Sequence, residues 1–311
     1  MVVLALLLFR QIISLFLIMA CGFLAVRLRL LKGADSKVLS ILSIYLIVPC
    51  VIIKSFQIEL TDQVRDGFLL ATAVAVAAHG VLLVVSWALR RACGLDAVER
   101  ASVVYSNAGN LIIPLVTALL GEEWVIYSSA FICVQQIFVW THAQAILSGQ
   151  KGINWKKLLL NMNVISIALG LALMLLRVRL PEVLLSSVSA VSATIGPVSM
   201  IMLGMLLAEV NFRAIVADRR VYLISALRLV AVPLLMLCLM KLSGLAGAVP
   251  EGRTILYISF MAMMTPAATM VTQLSQLNDN RPAFASSVNV MTTLLCVVTM
   301  PLLTQLYMTW M

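Results

Sequence analysis

Apolar stretches long enough to cross a bilayer, about 20 residues each, follow one another along almost the whole chain. Short clusters of charged residues separate them. Ten stretches qualify, at residues 4–26, 38–56, 67–89, 101–120, 124–147, 158–176, 183–208, 221–242, 255–277 and 282–308. Only 11% of the 311 residues are charged, against roughly 25% in soluble domains. The chain is therefore predicted to be an all-α polytopic membrane protein with ten transmembrane helices.

Basic residues are distributed unequally between the loops that join these stretches. Fourteen of the 22 Lys and Arg lie in odd-numbered loops and six in even-numbered loops, while Arg10 and Arg228 lie within stretches. The positive-inside rule then predicts that both termini lie on the non-cytoplasmic side of the cell membrane. The net charge of +9 is thus explained by orientation in the lipid bilayer, and no nucleic-acid partner is expected.

The chain divides near residue 150 into two halves of five stretches each. An odd number of spans makes the second half enter the membrane from the opposite face, which is the geometry of an inverted repeat. Pro49 and Pro197 lie in the second span of each half, and Pro114 and Pro266 lie in the fourth. We therefore predict two inverted five-helix repeats, at residues 1–150 and 151–311.

The fourth span carries polar residues and a proline near its centre. Pro114 has no N–H, so the carbonyl of Asn110 loses its helical partner in the middle of the membrane. Asn107 and Asn110 lie on one face at i and i+3, with Gly109 between them. A broken backbone at this depth must be surrounded by protein or by a water-filled cavity. The pattern predicts that this helix is interrupted in the middle of the membrane, at the freed carbonyl of Asn110.

The ninth span is interrupted in the corresponding place, at Thr265 and Pro266. Thr before Pro is typical of a helix start, which would point a positive dipole end into the gap. Thr269 and Gln273 continue a polar stripe along this helix. Each interruption alone is compatible with a simple kink and with interhelical hydrogen bonds. Two of them in corresponding positions of the two halves indicate a transporter's substrate site.

Other polar groups also lie deep in the predicted spans. Gln135 and Gln136 straddle the midpoint of the fifth span, where they would bind either a ligand or a neighbouring helix. Arg228 lies in the eighth span, where an unpaired charge is costly. It would extend to the membrane surface, clamp free carbonyls or contact an anionic substrate, and these three alternatives stay open.

The spans lack central carboxylates, and the chain lacks metal-binding spacings and catalytic motifs. No Asp or Glu lies centrally in any span, which disfavours proton coupling through carboxylates and leaves uniport or coupling to an ion such as sodium through neutral oxygens. The six cysteines have no metal-ligand spacing. Motifs such as G-x-S-x-G and H-E-x-x-H are also missing. Neither an enzyme nor a cofactor is predicted.

The arrangement resembles the auxin efflux carrier family of bacterial and plant anion transporters. The resemblance rests on ten spans, a short basic central loop, Asn107-x-Gly109-Asn110 followed by Pro114-Leu115, and the break at Pro266. It implies that helices 4 and 9 cross at their breaks, beside a scaffold of spans 1, 2, 6 and 7. It further implies that spans 3–5 and 8–10 form a mobile transport unit with elevator-type alternating access.

The resemblance also implies small organic anions, carboxylates in particular, as substrates. It places a set of matching residues in the site: Asn107, Asn110, Pro114, Gln135, Gln136 and Pro266. The chain departs from the family pattern at Thr269, where many members have Asn, and at Ile112, where Gly is common. These departures bear on substrate identity more than on fold.

Two alternative functions stay open at this point. One is a sodium-coupled organic-anion symporter of the bile-acid type, which a sodium dependence of flux would identify. The other is a sensor on the same scaffold, which would bind a ligand without transporting it. The expected partners are a small organic anion and the lipid bilayer, with a homodimer left open.

Overall fold

The computed structural model describes residues 2–149, 159–209 and 218–311, with side chains from residue 9 onward. Its regular secondary structure is helical throughout these ranges, apart from one isolated antiparallel bridge between Ser106 and Ala267. The helices are α1 (Val2–Arg27), α2 (Ser36–Leu42), α3 (Val48–Ser55), α4 (Asp62–Cys93), α5 (Ala97–Val104), α6 (Ala108–Leu119), α7 (Val125–Phe138), α8 (Gln144–Ser148), α9 (Met162–Leu175), α10 (Glu182–Ser192), α11 (Ile195–Glu209), α12 (Arg219–Ala226), α13 (Val232–Ser243), α14 (Gly252–Met264), α15 (Thr269–Leu277) and α16 (Pro282–Trp310).

Seven helical stretches within the described ranges are long and apolar enough to cross a membrane. They are Phe9–Arg27, Gly33–Ser55, Asp62–Cys93, Glu122–Ser148, Glu182–Glu209, Arg219–Ser243 and Pro282–Trp310. Helices α6 and α9 are apolar but shorter. The prediction of an all-α, multi-pass membrane protein is thereby confirmed, whereas ten spans in two inverted repeats stay a prediction. The predicted repeat boundary near residue 150 lies outside the described residues, as do Lys151, Lys156, Lys157 and Arg213, which were counted for orientation.

The ends of α4 and α5 follow from local sequence signals. Thr61 caps the start of α4, because its side-chain oxygen accepts a hydrogen bond from the backbone N–H of Val64. Gly94 ends α4 in the left-handed conformation, with φ of 62°. Asp96 and Glu99 then form a capping box at the start of α5, in which each side chain accepts from the other residue's backbone N–H. A tight turn therefore separates the third span from the fourth.

Helices α1 and α11 pack closely along their length because two glycines let their backbones meet. A Cβ built on Gly22 would lie 2.1 Å from the carbonyl oxygen of Ile201, and one built on Gly204 would lie 1.9 Å from that of Met19. Both neighbours are backbone atoms, so no rotamer change could make room for a methyl group. Small residues at helix crossings are a typical packing device in membranes.

The remaining contacts divide the helices into two groups. Helices α1, α2, α3, α9, α10 and α11 pack against one another, as do α4 to α8 with α12 to α16. The two groups also pack against each other, because α1 contacts α16 and α6, α11 contacts α6, and both α3 and α9 contact α7. At one end of the second group, Arg281 forms an ion pair with Asp96, and both Arg220 and Arg281 lie 3.6 Å from the carboxylate of Glu99. Burial raises the pKa of the Glu99 carboxyl, an effect that Arg220 opposes. These ion pairs join the start of α5 to the starts of α12 and α16.

Candidate functional site

The fourth span is interrupted between α5 and α6, at residues 105–107. Pro114 lies inside α6, about two turns beyond the break. The interruption therefore lies a few residues before Asn110, where the missing N–H of Pro114 was expected to place it. Proline removes one N–H donor from a helix that otherwise continues. Residues 105–107 are not helical, because groups outside the fourth span form their backbone hydrogen bonds.

The ninth span is interrupted between α14 and α15, and here too the restart differs from the prediction. Thr265 is the last residue of the first segment, in an extended conformation, and its hydroxyl donates back to the carbonyl of Ala262. The new helix begins at Thr269, not at Pro266. The ring of a proline clashes with the preceding residue and disfavours its helical conformation. The Thr-Pro pair therefore ends a helix here and does not start one.

The two interruptions meet, and their extended segments pair with each other. The N–H of Asn107 donates to the carbonyl of Pro266 at 2.9 Å, and the N–H of Ala268 donates to the carbonyl of Tyr105 at 3.0 Å. Backbone groups freed by each break are thus satisfied by the other, as the interior of a membrane protein requires.

Side chains from two neighbouring helices satisfy the middle residue of each extended segment. Gln135 of α7 accepts from the N–H and the hydroxyl of Ser106, at 3.1 and 2.6 Å, and donates to its carbonyl at 2.8 Å. On the other side, Asn289 of α16 donates to the carbonyl of Ala267 at 2.9 Å, while the hydroxyl of Thr292 accepts from its N–H at 3.1 Å. Gln135 therefore binds the backbone of a neighbouring segment.

Sequence reasoning missed Asn289 and Thr292. The available signal was their position in an otherwise apolar span, with an amide and a hydroxyl at i and i+3. That is the same signal that singled out Asn107 and Asn110.

Arg228 contacts the helix ends that lead into the paired segments, and it is completely buried. Its guanidinium donates to the carbonyl of Thr265 twice, at 3.0 and 3.1 Å, and to those of Val103 and Met263 at 3.1 Å each. These carbonyls belong to the ends of α5 and α14. The sequence left three roles open for Arg228: extension to the membrane surface, binding of free carbonyls and contact with the substrate. The hydrogen bonds match the second, binding of free carbonyls.

A cavity of about 60 Å³ lies at the beginnings of α6 and α15. Its lining comprises Ser40, Ser43, Ile44, Val48, Ser106, Asn107, Gly109, Asn110, Gln135, Gln136, Val139, Asn163, Met202, Ala268, Thr269, Met270 and Gln273. The structure thus brings together most of the predicted site residues at one place. Pro114, Thr265, Pro266 and Arg228 are outside this lining.

The lining residues form a polar network that joins α6 to α15. Asn110 donates to the side-chain oxygens of Asn107 and Thr269, at 3.1 and 3.2 Å. Two further hydrogen bonds reach the other group of helices: Gln273 donates to Ser40 of α2 at 2.6 Å, and Ser199 of α11 donates to Asn110 at 3.5 Å. The cavity therefore lies between the two groups.

Four polar atoms in the lining have no hydrogen-bond partner among the described residues: Ser43 Oγ, Asn107 Nδ2, Gln136 Oε1 and Asn163 Oδ1. An unpaired buried polar atom is costly, so a site that retains four of them has unused capacity to bind a polar ligand. Carboxamides and hydroxyls can turn either a donor or an acceptor toward such a ligand.

Ser40, Ser43, Asn163 and Met202 were not predicted from the sequence. Asn163 and Ser166 are polar residues at i and i+3 in an apolar helix, and so are Ser40 and Ser43 in the second span. Ser43 also lies in a π-helical turn, Ser43–Ile47, that precedes Pro49. Such turns are frequent at functional sites, but the sequence alone does not reveal which helices will face the break.

The electrostatics of the cavity favour negative charge. Helices α6 and α15 both begin at it, and a helix N-terminus carries roughly half a positive charge. None of the lining residues is Asp, Glu, Lys or Arg. Within the described parts of the chain, no cluster of three His, Cys, Asp or Glu could hold a metal ion.

A larger cavity of about 420 Å³ lies at the ends of α3 and α9, lined by Phe56, Ile58, Glu59, Leu60, Leu173, Met174, Arg177, Val178 and Arg179. None of the predicted site residues lines it. Its lining includes one carboxylate and two guanidinium groups, and it shares no residue with the lining of the smaller cavity.

A sequence profile of a family described as membrane transport protein matches the chain twice, over residues 7–153 and 150–304. A comparison with curated individual proteins finds no match.

Proposed function

Because the chain belongs to the auxin efflux carrier-type membrane transport family, we propose that this multi-pass membrane transporter carries small organic anions, carboxylates in particular. The proposed binding site is the cavity at the paired interruptions of the fourth and ninth spans. Family membership favours transport over catalysis. The substrate class and the site are inferred from the geometry of the cavity.

One observation carries the proposal: unpaired polar atoms lie where two helices begin, in a cavity lined by no carboxylate. In carriers with broken helices, half-helix N-termini point at the anionic group of the substrate. The amides of Asn107, Asn110 and Gln136 would complete the contacts to a carboxylate, with Thr269 and Asn163 on either side. A cation would find no counter-charge there.

Alternating access is proposed to occur by an elevator movement of one helix group against the other. The cavity draws six residues from one group and its remaining residues from the other; the six are Ser40, Ser43, Ile44, Val48, Asn163 and Met202. Only a few hydrogen bonds, such as the one from Gln273 to Ser40, bridge the groups at the cavity. In this proposal the ten spans form inverted repeats, spans 1, 2, 6 and 7 are the scaffold, and helices 4 and 9 cross at their breaks.

The proposal is tested by flux of radiolabelled mono- and dicarboxylates into proteoliposomes, after a thermal-shift screen selects a ligand. Gln136→Ala removes an amide that lines the cavity, and Gln305→Ala removes one from a half-buried position on α16 outside it. A hydrogen bond to a charged group contributes about 1.5 to 3 kcal/mol. We therefore expect at least about a tenfold loss of apparent affinity in Gln136→Ala and none in Gln305→Ala.

Equal affinities in the two variants would contradict the site. Flux that requires sodium, measured against choline at equal ionic strength, would favour the symporter of bile-acid type. Saturable binding with no flux in either direction would favour a sensor over a transporter.

A further inference from the structure

The buried guanidinium of Arg228 has no acidic partner among the described residues. It is completely buried, and its four hydrogen bonds all go to backbone carbonyls. A buried charge ordinarily requires compensation by an opposite charge or by strongly oriented dipoles. The compensation here must come from the backbone.

The carbonyls that Arg228 contacts are those of two helix C-termini. Val103 lies in the last turn of α5, while Met263 and Thr265 lie at the end of α14. Each helix C-terminus carries roughly half a negative charge. Two of them directed at one guanidinium supply about one negative charge, which matches its single positive charge.

The same arrangement of free carbonyls is what holds inorganic cations in other carriers with broken helices, where unwound carbonyls and half-helix C-termini coordinate the coupling ion. In this chain the guanidinium occupies that position. The positive charge of the guanidinium neutralises the partial negative charges at the C-termini of α5 and α14. The partial positive charges at the N-termini of α6 and α15 remain uncompensated at the cavity.

We propose that Arg228 is a resident cation in a monovalent-cation site formed by the C-terminal ends of α5 and α14. It is a positioning residue: it holds the two interruptions together and leaves the N-terminal dipoles uncompensated, without touching the substrate. Removing its side chain would leave an empty carbonyl cage with the geometry and charge to bind a free monovalent cation, guanidinium best of all.

The test is chemical rescue of purified, ligand-free Arg228→Ala, followed by thermal unfolding in detergent. Guanidinium, methylguanidinium, sodium, potassium and choline chlorides are compared at about 10 mM and constant ionic strength. We expect the substitution to lower the Tm by about 10 °C, and guanidinium to restore at least half of that loss saturably while choline restores none. The wild-type protein should not respond to guanidinium in this way.

Arg253→Ala is the matched control, because the exposed Arg253 also donates to a backbone carbonyl, that of Met308. Free guanidinium should not stabilise this variant, since water already solvates the carbonyl. A folded Arg228→Ala protein with no response to any of the cations beyond that of choline would overturn the proposal.

A second pair of variants decides the matter if Arg228→Ala does not accumulate as a monodisperse protein. Arg228→Lys keeps the positive charge, and Arg228→Met keeps a side chain of similar length without it. We expect the Lys variant to have the higher Tm. Equal behaviour of the two, including failure of both to fold, would overturn the proposal. Because every measurement is made without substrate, its outcome is independent of whether organic anions are transported.

Discussion

The side chain of Gln135 makes the hydrogen bonds that a continuous helix would otherwise provide to the backbone of Ser106. It supplies both a donor and an acceptor to a residue whose backbone has left the helical hydrogen-bond pattern. The side chain is 6% exposed, so water cannot replace it. Its role follows from the same rule that makes lipid-exposed irregular backbone untenable in a membrane.

Gln135→Leu should therefore destabilise the protein itself. It leaves the N–H and carbonyl of Ser106 unpaired, and each buried unpaired group costs about 1 to 3 kcal/mol. Thermal unfolding in detergent, without ligand, should show a Tm lower by several degrees. Gln305→Leu provides the control, and a Tm for Gln135→Leu equal to that of this control would mean that Gln135 does not support the break.

Alanine substitutions at Gly109 and Gly80 distinguish an effect on substrate binding from an effect on stability. A Cβ built at either position meets no heavy atom within 4 Å, and both glycines lie in helices. Ala at either position should raise the Tm slightly, because glycine in a helix costs about 0.5 to 1 kcal/mol relative to alanine. Only Gly109 lines the cavity, so only Gly109→Ala should weaken carboxylate uptake, by reducing the space for substrate. Uptake that is equally unaffected in both variants would place the substrate elsewhere.

Local signals identified many residues of the candidate site but not all of them. Asn107, Asn110 and Gln136 were found because an amide in the middle of an apolar stretch is conspicuous wherever it packs. Asn163 escaped because a polar residue near the start of an apolar helix has several ordinary explanations, among them capping, interfacial hydration and interhelical hydrogen bonds. Its proximity to the cavity depends on the packing of α9 against α3 and α7, which no local pattern encodes.

The sequence predicts which two spans are interrupted, but it does not predict the residues at which each interruption begins and ends. Pro114 and Pro266 correctly indicated which two spans are broken, since proline withdraws a backbone donor. The position of the break is set instead by where replacement partners exist. Gln135, Asn289, Thr292 and Arg228 provide those partners. Each lies at least 22 residues along the chain from the residues that it bonds, the shortest separation being that from Asn289 to Ala267.

The pair of α1 and α11 gives a prediction about helix packing. Gly204→Ala forces a methyl group against the carbonyl oxygen of Met19, where the ideal Cβ distance is only 1.9 Å. The helices must separate, and overpacking of this kind costs about 1 to 3 kcal/mol, more than the gain from replacing a helical glycine. We expect a Tm lower by a few degrees, whereas Gly80→Ala should be neutral or stabilising. Equal Tm values would mean that the two helices do not approach each other this closely.

At the level of the molecule, the two groups of helices meet around the cavity and along several direct helix contacts. One of them joins α3 to α7, where the hydroxyl oxygens of Ser55 and Ser129 are 2.9 Å apart and both residues are buried. A division into a scaffold and a transport unit is implied only by family resemblance and stays a prediction, because the composition of an apolar stretch does not show which other stretches it packs against. A covalent link at this contact would test whether the groups move.

Ser55→Cys/Ser129→Cys, in a background where the six native cysteines are replaced by alanine or serine, places two thiols at this contact. Short side chains whose terminal atoms are this close suit disulfide geometry. If one group slides past the other during transport, oxidation with copper phenanthroline should abolish carboxylate flux, and dithiothreitol should restore it. Each single-cysteine variant should transport equally before and after oxidation. Undiminished flux in liposomes whose protein is fully cross-linked would exclude a movement at this contact, because the disulfide fixes α3 to α7 while leaving the cavity residues unchanged.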